Sequence, residues 1–144
     1  MQQQYYTLPL DANALIKNES IDTCTIKDSI ANHLHLLMIS SFGECHFDPT
    51  FGCAIWDVDF NNVANDTKLV LIIKDSLYNS LKNHEKRLSK IDITVKIQQE
   101  ERSAIKAVSR VKKRVVVVIN ATIKKTNERF TFQEGFFIGP LSFK

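Results

Sequence analysis

The feature that most constrains this chain is a change of hydrophobic period near residue 85. Before it, apolar residues recur at helical spacing. In "TIKDSIANHLHLLMISSFG", Ile26, Ile30, Leu34, Leu37 and Ser41 mark one face and Met38 widens it; in "TKLVLIIKDSLYNSLKNHE", the stripe is Val70, Ile73, Leu77 and Leu81. After it the period is two: Ile91, Ile93, Val95 and Ile97 alternate with Asp92, Thr94, Lys96 and Gln98. Helices first and strands after predict an α+β fold, two N-terminal helices packed on an antiparallel sheet of C-terminal strands in a single domain, rather than a doubly wound sheet.

Local signals sharpen that outline. Thr25 and Asp28 stand at capping-box spacing before the first helix, and Gly43 is a suitable residue to follow its C-terminus. The second helix should begin near Asn65 or Asp66. Leu69, Leu71 and Ile72 make its first turns apolar nearly all round, which predicts a deeply buried N-terminal half. "RVVVVINATIK", from Arg114, is almost continuously β-branched and reads as a central strand covered on both faces. "KTNE" turns it into "RFTFQEGFF", whose Phe130 and Phe132 alternate with polar neighbours. Residues 98–113 read equally as a short helix or as the exposed ends of two strands. Residues 1–24 are expected to form an extended arm with at most one short turn, and residues 25–144 the domain.

The 144 residues suffice for one two-layer core without disulfides or metal. No basic head precedes an apolar block at the N-terminus, and the aliphatic runs "LVLII" and "VVVVI" are far short of a bilayer span, so a soluble cytoplasmic protein with three reduced cysteines is expected. Charge is segregated. Residues 1–81 hold 4 Lys/Arg against 10 Asp/Glu, a balance of −6, and residues 82–144 hold 15 against 6, a balance of +9, which together give the net +3. Either the halves face one another, or the basic half faces an acidic partner.

Chemistry finds little support. "SSFGECHFDPTFGCAIWDVDF", residues 40–60, offers Cys45, His46 and Cys53, with His84 or Cys24 at a distance, but no close pair of the kind structural zinc uses. Asp57, Asp59 and Asn61 imitate the start of a calcium loop, yet Asn62 occupies its glycine position and Lys68 the position of its bidentate glutamate. Glycoside cleavage would call on Glu44 as acid, with Asp48, Asp57 or Asp59 as partner, and nothing in the spacing selects among them. No nucleophile elbow or phosphate-cradling glycine loop is present, and His33 and His35 are expected at the flank of the first helix or in solvent. The stretch is expected to be a shaped connector, with Glu44 and Asp48 holding loop amides, Pro49 and Gly52 shaping the turn, and Phe47, Phe51 and Trp56 anchoring it over the core. Arg102, Lys106, Arg110, Lys112, Lys113 and Arg114 form a basic run that a small nucleic-acid-binding module would use at residues 102–114. Glu100 and Glu101 adjoin it and no aromatics interleave it.

The remaining constellation is "NHEKRLSKI", residues 83–91. Lys82, Lys86 and Arg87 suit the negative end of a helix dipole, whereas Glu85 opposes it and needs compensation. If residues 85–87 are extended, Glu85 and Arg87 point the same way, to pair with each other or each to engage a partner. Arginine's planar fork makes Arg87 the better anchor.

These segments together resemble the baseplate wedge proteins of contractile phage tails and their type VI secretion counterpart, TssE. The resemblance rests on the first helix with Gly43 and Glu44, the loop with Pro49 and Gly52, the helix before "HEKR", the strand "IDITVKI" and the closing "RFTFQ", spanning about residues 25–138. Its most specific element is a Glu-Pro-Arg triplet after the second helix, matched at Glu85 and Arg87 and departed from at Lys86. The resemblance implies a structural subunit without catalytic site, metal or cofactor. Glu85, Lys86 and Arg87 would contact other wedge subunits (TssF, TssG and TssK-like), and strand addition would seed assembly of sheath subunits (TssB and TssC-like). Nucleic acid, membrane insertion and small-molecule substrates are not expected. Some relatives carry a lysozyme-like label, for which Glu44 would be the acid.

Overall fold

The computed structural model describes residues 3–57, 66–101 and 111–138. Among them are two short strands, β1 (Tyr5–Tyr6) and β2 (Thr23–Cys24), three helices, α1 (Ala12–Ile16), α2 (Ile26–Ile39) and α3 (Asp66–His84), and three long strands, β3 (Leu88–Glu101), β4 (Val111–Ile123) and β5 (Arg129–Ile138).

The N-terminal segment folds back on itself instead of forming an extended arm. β1 and β2 pair antiparallel, Tyr5 opposite Cys24, and the Asp11 carboxylate caps α1 by accepting from the amides of Asn13 and Ala14 at 2.9 and 3.2 Å. Its return lays β1 against α2.

α2 begins as its capping box dictates: the Thr25 hydroxyl accepts from the Asp28 amide at 3.2 Å, and the Asp28 carboxylate accepts from the Thr25 amide at 3.3 Å. Ile30, Leu34, Leu37 and Met38 form its buried face. Its end is earlier than the glycine suggests. Ser40, already extended, donates its hydroxyl to the Leu36 carbonyl at 2.7 Å, while Gly43 lies in the next turn at φ 81°. α3 starts at Asp66 and buries Leu69, Ile73, Leu77, Ser80 and Leu81. One stripe is covered, not the whole first half: Leu71 is 55% exposed because its side opposite the sheet meets no described element.

The three long strands form an antiparallel sheet in the order β3-β4-β5, with Ile93 opposite Ile119 and Ile119 opposite Phe132. Lys124–Glu128 closes the second hairpin, helped by Asn127 at φ 56°, whose amide reaches the Ile123 carbonyl at 2.8 Å. Of residues 98–113, the first four continue β3 to Glu101 and the last three open β4 at Val111, as strand ends; residues 102–110 lie outside the described residues.

α3 packs on β3 and α2 on β5, so both helices cover the same sheet face. Val115, Val117, Ile119, Ala121 and Ile123 fill the layer between, each fully buried aliphatic side chain contributing about 1.5–3 kcal/mol. β4 is central as expected, but among the described residues it is covered on one face only. Val116 and Val118, which point the other way, are half-buried, and the exposed Thr94, Lys96, Thr131 and Gln133 flank them. A β-branched run encodes strand propensity and a central place more strongly than it encodes a second layer.

Candidate functional site

The passage from α3 to β3 places two opposite charges side by side. The Glu85 amide still makes a helical bond to the Leu81 carbonyl at 2.8 Å, residues 86 and 87 turn, and Leu88 starts the strand. The residues are therefore in a turn, not extended, and the two side chains nevertheless meet. Arg87 grips the carboxylate with both prongs of its fork: Nε donates to Glu85 Oε1 at 2.8 Å and Nη2 to Oε2 at 2.7 Å, while its own amide donates to Oε1 at 3.1 Å. His33 Nδ1 lies 2.7 Å from Oε2, Arg87 Nη1 donates to the Ser29 hydroxyl at 2.8 Å, and the guanidinium covers the Tyr5 ring at 5.5 Å.

Glu85 is 2% exposed and Arg87 28%. Burial pushes the Glu85 carboxyl upward, but the hydrogen bonds and charge of Arg87 with the contact from His33 outweigh it and hold the group at about 2, well below its ordinary 4.5. Glu85 in turn raises Arg87 further. The pair thus ties the α3–β3 turn to α2 through Ser29 and His33, and to β1 through Tyr5. Of the triplet, Glu85 faces inward, Arg87 keeps part of its surface, and Lys86 is exposed, its Nζ donating to the Lys82 carbonyl at 2.9 Å, where a cation suits the helix end.

The second assembly around this junction is the 40–57 loop. Cys53 bonds back to the end of α2, its amide to the Ser40 carbonyl at 3.0 Å, and Ser80 of α3 donates to the Gly52 carbonyl at 2.6 Å. Gly52 is required where it is: φ is 127°, and a Cβ would lie 2.6 Å from the Ser40 oxygen. Glu44 accepts from the Ser41 amide at 2.9 Å, and Asp48 from the Thr50 amide at 3.0 Å and hydroxyl at 2.6 Å, an arrangement that lowers the Asp48 carboxyl. Phe51 wedges between His33 and His84, and the Trp56 indole donates to the Met38 carbonyl at 2.6 Å with its ring edge-on to Phe136. Phe47 does not anchor the loop. It is 98% exposed, because Asp48 and Thr50 turn the backbone so that Phe51 takes the core-facing place.

The sequence profile described as baseplate wedge protein gp25 matches residues 24–128, from β2 through α2, the loop, the charged junction and both strands of the first hairpin. The chain belongs to the baseplate wedge protein gp25 family. A crystal structure from Geobacter sulfurreducens, of a protein provisionally named a tail lysozyme, has the same fold: TM-score 0.60 at 23% identity, covering 85% of this chain and 100% of that one. A comparison with curated proteins finds no match.

In this gp25-family chain the other candidate residues have local duties or stand apart. Glu44 is exposed and spends one oxygen closing its own loop. Cys45, His46 and Cys53 do not gather, and among the described residues no group of three His, Cys, Asp or Glu is placed to hold a metal ion. His35 pairs with Glu134, whereas His33 is half-buried on Glu85 rather than set in solvent. Sequence reasoning missed Ser29 and His33 as holders of the charged pair. Their one signal was two polar residues four apart beside the apolar stripe of α2. Of the basic run, Lys113 pairs with Asp66 at 2.8 Å, Arg114 lies over the Phe137 ring at 5.6 Å, and Arg102, Lys106 and Arg110 lie outside the described residues. No helix among the described residues is long and apolar enough to cross a membrane.

Proposed function

We propose that this chain is a non-enzymatic, cytoplasmic structural subunit of a contractile injection machine's baseplate, joining wedge subunits (TssF, TssG and TssK-like) and seeding the sheath (TssB and TssC-like). Membership of the baseplate wedge family supports the structural role. The observation that carries the mode of assembly is the sheet margin: β3 is a 14-residue edge strand hydrogen-bonded on one side only among the described residues, and β5 is the opposite edge. Unpaired edge amides and carbonyls are a ready template for another chain's strand, with alternating side chains setting the register. The Glu85–Arg87 pair supports this by fixing the direction in which β3 leaves the helical layer, while Lys86 and the open flank of Arg87 supply the charged contact.

Hydrogen exchange on the chain alone and after assembly with its wedge and sheath neighbours tests the reading. Protection should rise along β3 or β5, and Lys86→Glu should weaken assembly with the fold intact. Assembly that leaves both edges exchanging as in the isolated chain would overturn it.

A further inference from the structure

Beside the charged pair, on the outer side of the α3–β3 turn, lies a groove of about 300 Å³ with a one-sided charge. Lys82, Lys86, Lys90 and Lys124 border it, and Tyr78 and Ile91 form apolar wall. They come together for separate reasons. Tyr78 and Lys82 stand four apart on the last turns of α3, and Lys86, in the turn that follows, reaches back to the Lys82 carbonyl. Lys90 is delivered by a bulge in β3: Lys90 and Ile91 stand between Ser89 and Asp92, where only Ala121 separates their partners Thr122 and Asn120, and Lys90 takes φ 50°. Lys124 begins the β4–β5 turn, its amide bonded to the Arg87 carbonyl at 2.9 Å.

All four lysines are exposed, and none pairs with a carboxylate among the described residues. Glu85 also borders the groove but offers no counter-charge, since both oxygens are held by Arg87 and His33. The adjoining hollow shares Lys90 and adds Arg129, with Asp92 as the acid along its lining. Several uncompensated like charges around a recess focus a positive potential there and raise the local concentration of anions.

We propose that this groove binds an acidic peptide segment of a neighbouring protein, an apolar side chain seated against Tyr78 and Ile91 with carboxylates on either side meeting the lysines. The inference deepens, and rests on, the docking role given above to the junction. A peptide suits the recess better than nucleic acid does, for two reasons. The hollow is the size of one or two side chains, and the charges surround an apolar wall instead of lining a track with a succession of aromatic faces. The edge of β3, which begins at Leu88 and is unpaired among the described residues, lies alongside to take main-chain bonds from the same segment.

Fluorescence anisotropy on the full chain tests this, with a labelled peptide of alternating Asp and Leu, its Asn and Leu counterpart, and a single-stranded oligodeoxynucleotide of equal charge. The acidic peptide should bind at low salt and the Asn peptide should not. Substituting Lys82→Ala, Lys90→Ala and Lys124→Ala together should weaken binding by about tenfold or more, which corresponds to about 1.4 kcal/mol, while Lys17→Ala and Lys74→Ala leave it unchanged. Equal binding by the triple variant would overturn the proposal, as would tighter binding of the oligonucleotide. So would self-association of the triple variant with peptide affinity unchanged, which would make the lysines guards of an open edge. Because the probe is a defined peptide and no wedge or sheath subunit is present, failure here leaves the edge-assembly reading to its own exchange experiment.

Discussion

Arg87→Ala removes the guanidinium and leaves the Glu85 carboxylate where it is, 2% exposed, with His33 and the residue 87 amide as its remaining company. The native environment holds Glu85 at about 2 instead of 4.5. Each tenfold change in a proton equilibrium is worth about 1.4 kcal/mol, so the folded surroundings favour the charged carboxylate by roughly 3 kcal/mol. Mutational losses of about 3–5 kcal/mol for breaking buried ion pairs agree in size. Because the folded-state value is depressed, this stability is fully present above pH 4.5 and is lost as the pH falls toward about 2. In the variant, burial is no longer outweighed and the carboxyl rises, so acid neutralises a group that was costly to bury charged. Urea unfolding at pH 7 should therefore show the variant less stable by about 3 kcal/mol, with the gap closing as the pH is lowered through the carboxylate range. Arg87→Lys, which keeps a charge but not the fork, should fall between. An equal midpoint at pH 7, or a gap that does not change with pH, would refute the assignment of the pair as a staple between α2, α3 and β3.

The 40–57 loop can be probed in three ways. Gly52→Ala should cost about 3 kcal/mol in thermal or denaturant unfolding, since it sets a Cβ 2.6 Å from a backbone oxygen in a backbone region that other residues avoid. Phe51→Ala should cost roughly 2–3 kcal/mol, whereas Phe47→Ala should stay within about 0.5 kcal/mol, because one packs on the core and the other stands in solvent. Burial raises the Cys53 thiol to about 11, so at pH 8 a maleimide should label the half-buried Cys24 and Cys45 of the native protein and reach Cys53 only on unfolding; early modification of Cys53 would contradict the packing.

What could be read in the chain was whatever a local rule decides. Thr25 and Asp28 announced a helix start through a hydrogen-bond pattern closed within four residues, and the alternation from Ile91 to Ile97 named the buried side of β3 without reference to anything else. The failures lie where a distant surface decides. Leu71 and Val118 are as apolar as buried neighbours, and only the placing of the other layers leaves Leu71 open and Val118 half-covered. Phe47 and Phe51 differ by four positions, and the turn built by Asp48 chooses between them. The same holds for the charged junction. That Glu85 and Arg87 stand close was legible, but whether they pair with each other or turn outward was left open by the spacing; Ser29, His33 and Tyr5, which turn the pair inward, stand 52 to 82 residues away along the chain from their partners, and adjacency of that kind is not written in spacing.

The order of the large sheet has a directional consequence. β3 and β5 both run opposite to β4 and so run parallel to each other, which leaves, among the described residues, two sheet margins with one shared polarity. A guest strand laid along one margin and a second laid along the other would be oriented in the same sense relative to their host if each took the same pairing mode. Under the proposed strand addition, such a body would have a valence of two and a built-in arrow: it would stand between a neighbour behind and a neighbour ahead, and pass their alignment on.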